Sequence, residues 1–210
     1  AEQAFLDEVA EAAGKDPIDF RLELLERAHK NPVGERNDYD VKRYAGVLKL
    51  IKERSNWGKG DSSLNRGVSA YFCHNSYAAQ VVDLSWENDK PIIDKVTCAI
   101  DCGIIINPDA ATNLCEGGIV DGIGNALYGE LTFKEGVPQK HNFDTYHMIR
   151  MSEAPKEIDV HFVDNNIDPT GLGEPMFPPI FAAVANALYK ATGTRHYQQP
   201  FVSNRPPFVG

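Results

Sequence analysis

Basic residues are scarce in this sequence. Its 21 lysines and arginines stand against 30 aspartates and glutamates, a formal net charge of -9, and no dense Lys/Arg run occurs. That excludes the footprint a phosphate backbone needs, so no nucleic-acid partner is expected. Long apolar runs are also missing. Stretches such as PPIFAAVANALY fall short of the ~20 residues that cross a bilayer, so no membrane span is expected, and no signal peptide is read at the start AEQAFLDEV. Neither a Gly-Lys-Ser/Thr phosphate loop nor a paired Cys-x-x-Cys motif is present, which leaves nucleotide P-loops and zinc or cluster sites without support. Internal repeats and low-complexity tracts are absent as well. What is present is apolar content of 42% over 210 residues, enough for one large domain or two small ones.

Four cysteines, Cys73, Cys98, Cys102 and Cys115, invite a disulfide or metal reading. In DKVTCAIDCG, however, Val96, Cys98, Ile100 and Cys102 alternate with Lys95, Thr97, Ala99 and Asp101, the period of a half-buried strand. Four residues along a strand separate Cα atoms by roughly 13 Å, too far to bridge. The expectation is four free, structural thiols.

The first 55 residues read as helical. Phe5 and Val9 share a face in AEQAFLDEVAEAAG, which Gly14 closes. In DPIDFRLELLERAHK, Asp16 caps, Pro17 takes the first helical position, and Ile18, Leu22 and Leu25 form the buried stripe. Val41, Tyr44, Leu48 and Ile51 repeat at helical spacing in a third segment. Residues 56–67, NWGKGDSSLNRG, read as a linker. From 68 to 210 strands enter: AAQVVDLSW, with Val82, Leu84 and Trp86 on one side, turns through ENDKP into IIDKVTCAIDC as a hairpin near 78–102. ELTF and EIDVHFV are further strand-like pieces, and PPIFAAVANALYKAT is a helix stopped by Gly193. The fold class is α+β, with N-terminal helices followed by mixed strands and helices.

Two glycine-bearing segments stand out. A helix across ATNLCEGGIVDGIGNALYGEL carries Gly117, Gly118, Gly122 and Gly124 at about 1 kcal/mol each relative to alanine, so something must compensate. Gly118, Gly122 and Ala126 lie four apart, baring one face for a second helix or a flat ligand. In GLGEPMFPPIF, Glu174 stands between Gly-Leu-Gly and a proline, ahead of an apolar helix. It is either a charge favoured near a helix N-terminus or a carboxylate presented for chemistry.

The segments AIDCGIIINPDAATNLCEGGIVDGIGNALYGELTF, NFDTYHMIRMSEAP and GLGEPMFPPIFAAVANALYKATGTR, with AFLDEVAEAAGKDPIDFRLELL and NSYAAQVVDLSW in the same order, carry a resemblance over nearly the whole chain. Together they resemble the C-terminal part of the large, molybdenum-binding subunits of the xanthine dehydrogenase and aldehyde oxidase superfamily, of the isoquinoline 1-oxidoreductase type. The resemblance implies a share of a molybdopterin-binding domain. It makes Glu174, in the Gly-x-Gly-Glu-Pro motif, the general base facing molybdenum, and places Glu116, Gly117, Gly118 and Gly173 along the cofactor. The implied cofactor is molybdopterin cytosine dinucleotide or a relative of it. An enclosed, partly dry site would raise a carboxyl's pKa toward working pH, as a base needs.

The reaction implied is oxidation of an N-heteroaromatic compound or aldehyde with water as oxygen source. Electrons leave through iron-sulfur clusters on a small partner subunit. Such subunits are several times longer, so the chain reads as a fragment whose partner includes the N-terminal part of the same subunit, and alone it is expected to hold no cofactor. Two residues depart from the family pattern. Leu114 stands where a glutamine usually hydrogen-bonds the pterin, and Met176 where relatives often have glycine, which narrows the pocket beside the base. Leu114 keeps open a second reading, a non-catalytic domain. The compartment is left open.

Overall fold

The structure, a computed structural model, describes residues 1–32, 39–59, 63–87 and 90–202. Asp16 caps α2 (Pro17–Lys30), its carboxylate accepting from the Ile18 and Asp19 backbone N–H groups, with Pro17 just inside. Asp40 does the same for α3 (Val41–Arg54), through Lys42 and Arg43. The stripes expected on both helices are buried or half-buried, and they cover one face of a sheet.

That sheet runs β1 (Asn65–Cys73), β2 (Ser76–Glu87), β3 (Lys90–Asp101) and β6 (Glu157–Phe162), in the order β1-β2-β3-β6. The first three strands are antiparallel, and β6 joins β3 in parallel. Its second face carries α4 (Pro108–Tyr128) and α5 (Phe177–Thr192), with Gly193 in the left-handed conformation ending α5. Alternation along β2 sorts the core: Ala78, Val82 and Leu84 join α4 and α5, whereas Tyr77, Ala79 and Val81 join α2 and α3. The arrangement is α+β, as expected.

Several expectations need correction. The β3 strand is buried on both faces, with Thr97, Ala99 and Asp101 almost fully covered, because the N-terminal helices pack on its second side. The stretch 56–67 contains the start of β1 at Asn65, a strand the sequence pattern did not announce. Of the turn placed at ENDKP, Asn88 and Asp89 lie outside the described residues, as do 60–62 of the linker. ELTF is not a strand over Glu130–Thr132. Only Phe133 enters β4 (Phe133–Lys134), which pairs with β5 (Val137–Pro138). In α1 (Glu2–Ala12) Phe5 is 63% exposed, and the buried positions are Gln3, Asp7 and Ala10. Arg21 Nε donates to Gln3 Oε1 at 2.9 Å and Arg195 Nη1 to Asp7 Oδ2 at 3.0 Å, so polar partners bury this polar face.

Two of the α4 glycines serve close packing. A Cβ at Gly122 would stand 2.3 Å from Ile180 Cγ2, and one at Gly124 would stand 2.8 Å from the Ile149 side chain. The close approach of α4 to α5 compensates Gly122, and the packing of the Ile149 segment on α4 compensates Gly124.

Candidate functional site

The segment Gly171–Pro175 runs along the β1–β2 hairpin before α5 begins. At its start, Gly171 N–H donates to the His74 carbonyl at 3.1 Å, and Ser76 Oγ bonds both Thr170 Oγ1 and the Gly171 carbonyl. At its end, the buried Gln80 donates through Nε2 to the Met176 carbonyl at 2.9 Å, and Phe177 N–H donates to the Glu174 carbonyl at 2.9 Å. Bonds at both ends fix the backbone that carries Glu174. A Cβ on Gly171 would lie 2.5 Å from His74 Cβ, so that glycine is required by the hairpin rather than by a cofactor.

Glu174 itself projects outward, its side chain 77% exposed, and its Oε2 lies 2.9 Å from His74 Nε2. The described residues do not supply the enclosure expected around a base. His74 and Asn75 form the two-residue turn that joins β1 to β2, both with left-handed backbones (φ 52° and 59°). Arg43 steadies that turn. Its Nη1 donates to the Asn75 carbonyl at 2.9 Å while Nη2 and Nε grip Asp101 at 2.7 and 3.1 Å, and the bond to Asp101 raises the arginine's pKa.

Beneath the loop lies sulfur. Met176 is 1% exposed, with its Sδ 3.5 Å from Cys98 Sγ and its Cβ 3.3 Å from where a Gly118 Cβ would be. Its side chain therefore fills the core between β3 and α4 and does not narrow a pocket beside Glu174, which corrects the expectation from sequence. All four cysteines are free thiols. Burial raises Cys98 well above the ordinary thiol range and pushes Cys102 up to about 11 and Cys115 to about 12. Cys73 is raised more modestly, by burial first and then by the charge of Glu174.

Among the described residues, no group of three or more His, Cys, Asp or Glu side chains is placed to hold a metal ion. A cavity of about 680 Å³ there is lined by Tyr128, His147 and Glu153 among others and includes none of the expected site residues.

Residues 13–155 match the family model of the molybdopterin cofactor-binding domain. The chain belongs to that family. With it the chain joins the xanthine dehydrogenase and aldehyde oxidase superfamily. It is 32% identical to the membrane-bound aldehyde dehydrogenase (pyrroloquinoline-quinone) of Gluconacetobacter polyoxogenes, over 94% of this chain and 27% of that protein. It is 29% identical to the isoquinoline 1-oxidoreductase subunit beta of Brevundimonas diminuta, over 92% of this chain and 24% of that one. The chain thus spans about a quarter of the length of these relatives. Its fold resembles the crystal structure of quinoline 2-oxidoreductase from Pseudomonas putida 86, with a TM-score of 0.54 at 21% identity, covering 61% of this chain and 17% of that one.

Within this molybdopterin cofactor-binding domain, Glu116, Gly117 and Gly118 occupy the middle of α4. Gly118 packs on Met176, two residues after Glu174, which brings α4 and the Glu174 loop together. Gly117 and Gly173 differ from it: a Cβ at either would meet nothing within 4 Å. Gly117 is thus an exposed mid-helix glycine that costs about 1 kcal/mol without packing to account for it, which fits a surface approached by another body. Leu114, 49% exposed on the same helix, offers that body no hydrogen bond. Sequence reasoning missed His74, Ser76, Gln80 and Arg43. Their roles depend on contacts between residues far apart in sequence, and only the two-residue length of the His-Asn turn could have hinted at them.

Proposed function

We propose that this chain is the part of a molybdenum hydroxylase that presents the general base to the cofactor, with Glu174 as that base. The observation that carries the reading is an exposed carboxylate on a backbone bonded at both ends, next to Gly173, which has open space over it. Glu116, Gly117, Gly118 and Gly173 would lie along a molybdopterin, in its cytosine dinucleotide form. When bound, this group supplies two-electron oxidation with water as the source of oxygen. The chain's own share is to hold Glu174 in place and accept a proton at its carboxylate, while further segments of the subunit exclude water around it. The aldehyde dehydrogenase relative is named for pyrroloquinoline quinone, but the family match over 13–155 supports molybdopterin.

The substrate class is an N-heteroaromatic compound or an aldehyde, by likeness to relatives with those names. The partners are the rest of the same subunit and a small subunit with iron-sulfur clusters. Glu174 lies beyond the matched residues, so its role rests on the Gly-Leu-Gly-Glu-Pro sequence and the geometry described. The test is Glu174→Gln in the full-length enzyme, which keeps shape and hydrogen bonding and removes the proton acceptor. Turnover should fall on the order of 100-fold to 10,000-fold with molybdenum retained.

A further inference from the structure

His74 stands at the first position of a two-residue hairpin turn, which needs a positive φ; it adopts φ 52°, a backbone that His, like Asn and Asp, takes more readily than other non-glycine residues. The side chain reaches one carboxylate, with Nε2 2.9 Å from Glu174 Oε2. The turn is built to aim it: Arg43 holds the Asn75 carbonyl, the His74 carbonyl accepts from Gly171, and Gly171 has no side chain to push the ring away.

We infer that His74 is a positioning residue for Glu174, donating from Nε2–H to the carboxylate and selecting the rotamer in which it faces the substrate. The inference rests on the reading of Glu174 as base. An exposed glutamate has several rotamers of similar energy, and a base must sit within hydrogen-bond reach of the proton it removes. The second anchor is the fixed loop; His74 adds the side-chain constraint that backbone bonds cannot supply. The pair is exposed enough, 56% and 77%, that its value is in geometry rather than in stability.

The test uses the full-length enzyme in four forms: wild type, His74→Ala, His74→Asn and His74→Gln. The alanine variant should lose about tenfold or more in kcat with KM little changed, because misplacing a reacting group by about 1 Å can cost about 100-fold. Asparagine suits the left-handed turn but is too short to reach Glu174, so it should melt no lower than wild type while losing kcat as alanine does. Glutamine places an amide N–H close to where Nε2 stood and should restore kcat to within about threefold of wild type. Crystal structures of the same variants, with and without metal, should show the Glu174 carboxylate fixed in wild type and glutamine and displaced in alanine and asparagine. Alanine or asparagine variants with wild-type kcat and full molybdenum would overturn the inference, as would glutamine failing to rescue. So would an asparagine variant whose melting temperature and kcat fall together, since that marks a purely structural residue. An active Glu174→Gln enzyme instead removes the base reading itself, whereas an inactive one beside a normal His74→Ala removes only the role of His74.

Discussion

Replacing Arg43 with methionine tests the frame on which the Glu174 loop depends. Asp101 is 2% exposed at its side chain and Arg43 12%, so the substitution strands a carboxylate with little access to water. Losing one partner of a buried pair costs about 3–5 kcal/mol. Asp101 retains bonds from Asn165 Nδ2 at 3.0 Å and the Gly103 N–H at 3.3 Å, and the arginine is not fully enclosed, which places the expected loss at the lower end, about 3 kcal/mol. Methionine also forfeits the bond to the Asn75 carbonyl and the guanidinium's place over the Tyr77 ring, 4.8 Å from its centroid. At about 2–4 °C per kcal/mol for a unit of this size, the melting temperature should drop by about 6–12 °C. The double variant Arg43→Met/Asp101→Asn, in which no buried charge is left alone, should recover a good part of that loss. Melting curves on the full-length chain and the two single variants complete the cycle. A loss below about 1 kcal/mol for Arg43→Met, or no recovery in the double variant, would refute the reasoning from buried charge.

Further outcomes follow from the glycines and thiols. Gly122→Ala should destabilise by about 1–3 kcal/mol, because its Cβ would collide with Ile180, as chemical denaturation can measure. Gly117→Ala, with open space, should stabilise the metal-free protein by about 0.5–1 kcal/mol while lowering molybdenum content in metal analysis. Under native conditions an alkylating reagent followed by peptide mass spectrometry should label half-buried Cys73 first, and denaturation should release all four thiols. The raised thiols of Cys102 and Cys115 make stability pH-dependent at the alkaline end. Folding keeps them protonated where the unfolded chain would ionise, so their contribution is fully present below about pH 9 and is lost as pH rises through about 11 to 12. Melting temperatures between pH 8 and 12 check the sign.

How far the sequence foretold this molecule depended on the range of the interactions. Asp16-Pro17 and Gly193 announce helix ends through bonds within one turn, and both are where the pattern placed them. The α1 face was misread because a Phe5–Val9 stripe is a local signal, whereas burial of Asp7 is decided by Arg195, 188 positions away. Half-burial of β3 was misjudged for the same reason: helices from the first 55 residues cover its second face, and periodicity in the strand cannot report them. In the site, the Gly-x-Gly-Glu-Pro stretch was conspicuous, but its anchors were not. His74 and Gln80 contact it from about 100 positions earlier, and neither belongs to a motif of its own.

The measurement that bears most directly on the central claim is turnover, molybdenum content and melting temperature on one preparation of the Glu174→Gln full-length enzyme. If Glu174 is the base, the protein will be folded and metal-loaded and its rate will fall on the order of 100-fold or more, whereas a carboxylate that only favours a helix N-terminus contributes about 0.3–1 kcal/mol of stability. Near-normal turnover with full metal would contradict the account.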